Sequence, residues 1–145
     1  MKIVLGELHV TAATPVVVDS SVAFKWFDTS EPDADQAAEL LARHAADEIA
    51  IVVPAHLCLE VTHALARRCT PADVARSVDA LYAFELLQGP LDRWLVSEAA
   101  ALASRDGLAL YDAVFVALAA RLDAELVTAD RKQAGTSSCR VRLLG

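Results

Sequence analysis

Two aspartates in this sequence each follow a short apolar run: Asp19 comes after Val16-Val17-Val18, and Asp130 comes after Glu125-Leu126-Val127-Thr128 and one alanine. Two further acids, Glu60 and Asp112, fall in the early turns of helical patterns, Glu60 soon after the apolar run Ile51-Val52-Val53. In an open parallel sheet, strand C-terminal ends and helix N-terminal ends share one edge, where ligands bind at a topological switch. The four acids can therefore converge. Clustered carboxylates raise one another's pKa values unless a cation neutralises them. All-oxygen ligation favours Mg²⁺ or Mn²⁺ over zinc, and Mg²⁺ commonly meets substrate phosphates. Such a site suits phosphodiester hydrolysis, in which the ion orients a water, lowers its pKa and stabilises charge on the phosphate. No Ser/His/Asp nucleophile arrangement or phosphate-cradling glycine loop competes with it. Each acid also has a plainer reading, Asp19 and Asp130 as helix caps and Asp112 as compensation of a helix dipole. Glu60, on an otherwise apolar helix side, is the hardest to explain in that way.

The elements that must position these acids alternate short β-branched runs with longer helical patterns, which predicts an α/β fold with a largely parallel sheet. Pro15 to Val18 is the clearest strand, apolar throughout as in strands buried on both faces. Ser20 or Ser21 is expected to cap the helix that follows through Val22, Ala23 and Trp26. Glu31-Pro32-Asp33 breaks it and starts another through Ala37, Leu40 and Leu41. Pro54 closes the second strand before a helix striped with Leu57, Val61, Ala64 and Leu65. Thr70-Pro71-Ala72-Asp73 opens the next, with Thr70 as N-cap and Pro71 at the first position. A strand is expected at Phe84 to Leu87, ended by Gly89-Pro90. A helix from about Arg93 turns Leu95, Val96, Ala99, Leu102 and Ala103 inward and stops at Gly107. Another begins near Tyr111 with Phe115, Val116, Ala119 and Leu122, then strands at 125–128 and 141–144 follow.

A length of 145 residues with 55% hydrophobic content fits one domain with a single core. The formal charge of −7 argues against a generally basic nucleic-acid coat. Cys58, Cys69 and Cys139 are odd in number and widely spaced, suggesting neither disulfides nor a zinc ribbon, so a reducing, cytoplasmic setting is expected. Glu7 and His9 interrupt the N-terminal apolar stretch well short of a membrane span. Residues 1–14 read as an added edge strand, a mobile extension or sequence foreign to the domain, and residues 15–145 as the domain itself.

Four ordered motifs carry a resemblance: Val16-Val17-Val18-Asp19-Ser20-Ser21-Val22; Pro54 followed by Glu60-Val61 and Ala64-Leu65; Tyr111-Asp112-Ala113 with Phe115 to Ala119; and Leu126-Val127-Thr128-Ala129-Asp130-Arg131. Over residues 15 to 144 the chain resembles PIN-domain ribonucleases, specifically the VapC-type toxins of toxin–antitoxin pairs. The resemblance implies a three-layer α/β/α fold around a mostly parallel five-stranded sheet. It also implies Mg²⁺- or Mn²⁺-dependent endoribonuclease activity, neutralisation by a cognate antitoxin, and homodimers formed near the Glu60 segment, here Leu57 to Tyr82. Asp19, Glu60, Asp112 and Asp130 fall on the family's acidic positions, and Ser21 and Thr128 on its accompanying polar ones. Where such toxins often carry Asn, three residues after the glutamate, this chain has His63.

An acidic chain that cuts RNA needs local positive patches, and Lys25, Arg67, Arg68, Arg131 and Lys132 are candidates because they flank the acidic motifs. Two alternatives remain: a catalytically silent PIN-like binding module, against which all four acids stand, and a Mg²⁺-dependent phosphatase. A haloacid-dehalogenase-like phosphatase would need a second Asp where Ser21 stands. His56, Glu60 and His63 share a helix face at i, i+4 and i+7, a spacing that raises a zinc site. Two turns, roughly 10 Å at ~1.5 Å per residue, separate the histidines. His63 is therefore expected as a hydrogen-bonding neighbour of the acids and His56 as an unrelated surface residue.

Overall fold

The computed structural model describes residues 13–145 together with the backbone of Lys2 and Ile3. Its strands are β1 (Lys2–Ile3), β2 (Thr14–Val18), β3 (Ile49–Pro54), β4 (Leu87–Gly89), β5 (Glu125–Thr128) and β6 (Arg140–Leu143), and every pairing between them is parallel. The helices are α1 (Ser20–Phe24), α2 (Ala34–Ala45), α3 (Leu57–Ala66), α4 (Pro71–Ala83), α5 (Arg93–Asp106), α6 (Leu110–Arg121) and α7 (Arg131–Ala134). The sheet runs β1-β4-β3-β2-β5-β6, so the expected five strands are present and the two-residue β1 extends their edge beside Leu87 and Gln88. Most of the expectation for residues 1–14 lies outside the described residues, and Thr14 already belongs to β2.

The chain moves outward from β2 to β3 and β4, then crosses back to β5 on the other side of β2. Right-handed crossovers then put α1–α4 on one face and α5–α6 on the other, giving three layers. This is the three-layer α/β architecture expected from the sequence. Val16, Val17 and Val18 of β2 and all of β3 are buried, as strands covered on both faces must be. Helix α6 is buried from Ala113 through Ala119 on every side, which an amphipathic helix could not tolerate and a sandwiched one requires. Where β4 passes beneath it, a Cβ at Gly89 would come within 3.0 Å of the Leu118 side chain, so any larger residue there requires that leucine to shift. Among the described residues no helix is long and apolar enough to cross a membrane.

Thr70 caps α4 through the Asp73 N–H, with Pro71 in the first turn, and Gly107 ends α5 in the left-handed region (φ 66°). Three expectations need correction. Strand β4 lies at Leu87–Gly89, not at Phe84 to Leu87, because α4 runs to Ala83 and Glu85 turns the chain at φ 53°. Val96 on α5 is 43% exposed: Leu95, Ala99 and Leu102 fill the contact with the core and leave its side of the helix outside. The cap of α1 is Asp19 itself, which accepts from the Val22 N–H, not Ser20 or Ser21.

Candidate active site

Asp19 leaves the end of the central strand β2 with extended backbone, so its side chain turns into the start of α1 and is 4% exposed. Both carboxylate oxygens are occupied. Oδ1 accepts from the Ser21 hydroxyl (2.6 Å) and the Val22 N–H (3.2 Å), and Oδ2 lies 2.7 Å from the Thr128 hydroxyl at the end of β5. Ser21 in turn accepts from the Ala129 N–H (3.0 Å), and Thr128 from the Asp130 N–H (3.0 Å). The two accompanying polar residues thus weld the adjacent ends of β2 and β5 around one carboxylate. Loss of solvent pushes the Asp19 pKa up to about 6. The bonds from Ser21, Thr128 and Val22 resist that rise, and the charge of Asp112 adds to it.

Thr128 has one proton and two candidate acceptors, since its hydroxyl also lies 2.8 Å from Gln133 Oε1. Gln133 is buried on α7, and its amide group donates to the Asp112 carbonyl at 2.9 Å. Asp130 caps α7 through the Lys132 and Gln133 N–H groups. Asp112, in the first turn of α6, has its pKa raised by burial first and by Asp130 second, with Lys132 opposing. Glu60, in the first turn of α3, is raised by burial and by the charges of Asp112 and Asp19, while a bond from Ser20 (3.3 Å to Oε1) opposes the rise. The four sequence-predicted acids therefore feel one another at one sheet edge.

These carboxylates offer a hard, all-oxygen donor set, and among the described residues no basic side chain bonds to Asp19, whose burial raises its affinity for a positive charge. Among the described residues, no three His, Cys, Asp or Glu side chains close around one point as placed. A Mg²⁺ ion keeps several waters, which span longer distances to its protein ligands, so the residues fit that ion better than one needing a tight protein cage.

Sequence reasoning misplaced His56. It is 8% exposed, not a surface residue, because its ring packs on Phe115 of α6 with centroids 4.9 Å apart. Its Nε2 lies 3.1 Å from the Tyr111 carbonyl and 3.3 Å from Glu60 Oε1. A carbonyl can only accept, so Nε2 carries the proton. Burial holds the imidazole pKa below its usual value, and Nδ1 is buried without a partner among the described residues. Ser20 and Gln133 were missed as well, for their partners lie 40 residues from one and 21 from the other.

Beside Glu60 opens a groove of about 510 Å³ walled by Ser20, Ser21, Phe24, His63 and Arg68, among others. His63 is exposed there. Arg68 lies over the Phe24 ring (4.9 Å) and pairs with Glu31 (3.3 Å) and Asp28 (3.6 Å). Lys25 is corrected as a phosphate-contact candidate: it is 6% exposed, and its ammonium donates to the Pro32 carbonyl (2.7 Å) beside Glu31 (3.6 Å). Arg67, Arg131 and Lys132 are exposed.

A family model described as "PIN domain" matches residues 16–137. No curated protein sequence matches the chain. Among solved structures, VapBC2 from Rickettsia felis, bound to a DNA fragment from its promoter, is similar with a TM-score of 0.69 at 13% identity, over 91% of this chain and 100% of that one. A toxin–antitoxin complex from Klebsiella pneumoniae gives 0.67 at 20% identity, over 90% and 98% of the two chains. VapC20 of Mycobacterium tuberculosis, a sarcin–ricin loop cleaving toxin, gives 0.66 at 17% identity, over 86% and 98%. At these identities the likeness is one of fold. The family match spans all four acids and most of the described chain, so this protein belongs to the PIN domain family.

Proposed function

We infer that this chain is a VapC-type toxin, a Mg²⁺- or Mn²⁺-dependent endoribonuclease working in the cytoplasm and restrained by a cognate antitoxin. The observation that carries the reading is Asp19: a carboxylate almost without solvent, with no cationic partner among the described residues, electrostatically coupled to Asp112 and Glu60 at a topological switch point, with Asp130 acting on Asp112 in turn. Asp19, Glu60, Asp112 and Asp130 are the residues that would hold the ion. When bound, it would orient and acidify a water and stabilise the charge developing on the scissile phosphate. Ser21 and Thr128 fix the Asp19 carboxylate, and Glu60 stands where the groove meets the acids. The groove beside it takes the RNA, with Arg67, Arg68, Arg131 and Lys132 contacting phosphates around it. An antitoxin with an Arg or Lys among the carboxylates would replace the ion's charge and block the phosphate path. A homodimer would use the α3–α4 segment, where Leu59 (76%) and Tyr82 (52%) are exposed.

The test is cleavage of bulk bacterial RNA by the purified protein in Mg²⁺ or in EDTA, with the new 5′ ends sequenced. Cutting at a few sites in Mg²⁺, absent in EDTA and severely reduced in Asp19→Asn, is expected. A folded Asp19→Asn variant cutting at the parent rate would refute the site. Release of phosphate from small esters without RNA cleavage would favour the phosphatase reading.

A further inference from the structure

Helix α6 brings Asp112 to the acids on its first turn, yet its N-cap is Ala109, which supplies no capping side chain. Two side chains from other elements bond to that turn, at consecutive carbonyls and not at its free N–H groups. His56, just before α3, reaches the carbonyl of Tyr111, and Gln133, on α7, reaches the carbonyl of Asp112. Each has a second neighbour that is an acid or bonds to one. The His56 Nε2–H donates to Tyr111 O, and Glu60 Oε1 lies 3.3 Å from the same nitrogen, while Gln133 Oε1 meets the Thr128 hydroxyl that also faces Asp19. Neither side chain is exposed enough to meet RNA, at 8% and 1%.

We propose that His56 and Gln133 are positioning residues that grip the first turn of α6 from opposite neighbours and so set Asp112 at its working distance from Glu60 and from Asp19. The inference rests on the metal-dependent nuclease reading and names what holds that site together. The grip has a physical need. A cluster of carboxylates pushes itself apart, and the uncapped end of α6 is where that repulsion would act. Two neutral donors on backbone carbonyls resist the spreading without adding a charge to the ion's surroundings. Residues that orient metal ligands commonly carry about 10- to 100-fold in metal affinity or activity. The ring of His56 is held by Phe115, so its donor direction is fixed, and Gln133 is pinned at both ends of its amide.

The test compares the parent with His56→Gln, His56→Asn, Gln133→Met and, as a control, Asp19→Asn. Glutamine can place an amide N–H near the Nε2 position, whereas asparagine is too short, so the two His56 variants differ in the hydrogen bond and little else. Free Mn²⁺ is followed by electron paramagnetic resonance, and kcat and KM are measured on the RNA that the parent cleaves. Melting in EDTA verifies folding. His56→Asn and Gln133→Met are expected to weaken Mn²⁺ binding and lower kcat by about 10- to 100-fold. The RNA KM should be unchanged, and His56→Gln should recover most of the loss. If His56→Gln and His56→Asn behave alike, or if both His56→Asn and Gln133→Met match the parent in Mn²⁺ affinity and kcat, the positioning role is refuted while the nuclease reading stands. A parent that neither binds Mn²⁺ nor cuts RNA overturns the nuclease reading and this inference with it. Should Gln133→Met fail to fold, the His56 pair decides.

Discussion

Asp19→Asn should inactivate the protein and at the same time make its metal-free form more stable. Asp19 titrates near 3.8 when unfolded and near 6 when folded, mainly because burial disfavours its charge. Below about pH 4 the group is neutral in both states, and no penalty exists. As the pH rises toward 6 the unfolded chain releases its proton while the folded chain keeps it, so stability falls. Above that the penalty is complete, about 3 kcal/mol at roughly 1.4 kcal/mol per pH unit. Asparagine removes the charge and also resolves the competition for the Thr128 proton. Its carbonyl can accept from Ser21 and the Val22 N–H, while its amide donates to Thr128, freeing that hydroxyl for Gln133. Urea unfolding of both proteins in EDTA, from about pH 4 to pH 7, measures the difference. The variant should gain on the parent by up to about 3 kcal/mol across that range. Adding Mg²⁺ should stabilise the parent and leave the variant nearly unmoved. A gap that stays constant with pH, or a variant less stable than the parent at pH 7, would refute the claim that Asp19 is held at a desolvation cost.

Charge reversal at Arg131 and Lys132, both exposed beside Asp130, should raise the KM for RNA and flatten its salt dependence, measured as cleavage rate against KCl. Lys25→Met should leave that KM unchanged, since the ammonium is already engaged by Pro32 and Glu31. His63→Asn should retain substantial activity in Mg²⁺; stoichiometric zinc in the purified protein that vanishes in this variant would favour a zinc site instead. The proposed α3–α4 pairing predicts that Leu59→Lys sediments as a monomer with its helical content intact, because Leu59 lies outside the core.

The acids were legible because the signal that marks them is local: an apolar run, then a carboxylate, then a helical pattern. Strand ends and helix starts meet at one edge of any such sheet, so chain order alone carried Asp19, Glu60, Asp112 and Asp130 to one place. What surrounds them was not local. His56 reads as a surface residue until Phe115 and the Tyr111 carbonyl, 55 residues on, close over it. Lys25 looks like a phosphate contact until the chain turns at Pro32 and captures its ammonium. Gln133 carries no sequence cue, since its register on the four-residue α7 is set by the Asp130 cap. The displaced β4 has a similar cause: Phe84 and Leu86 suit a strand, yet the helix capped by Thr70 ran further than its apolar pattern showed.

The central strand β2 pairs with β3 on one side and with β5 on the other, and the Thr128–Asp19 contact joins residues 109 apart. Long-range parallel pairing of this kind forms late, because a large loop must close before any bond rewards it. During synthesis β2, α1 and β3 can associate early, with Asp19 already capping its helix. The welded edge, however, cannot exist until the ribosome has released residue 128 and β5 has slotted in beside β2. A nascent chain stopped short of that strand would carry three of the four acids and lack the contacts that bring them to order, so the competence of this site is timed by its own topology to the emergence of β5.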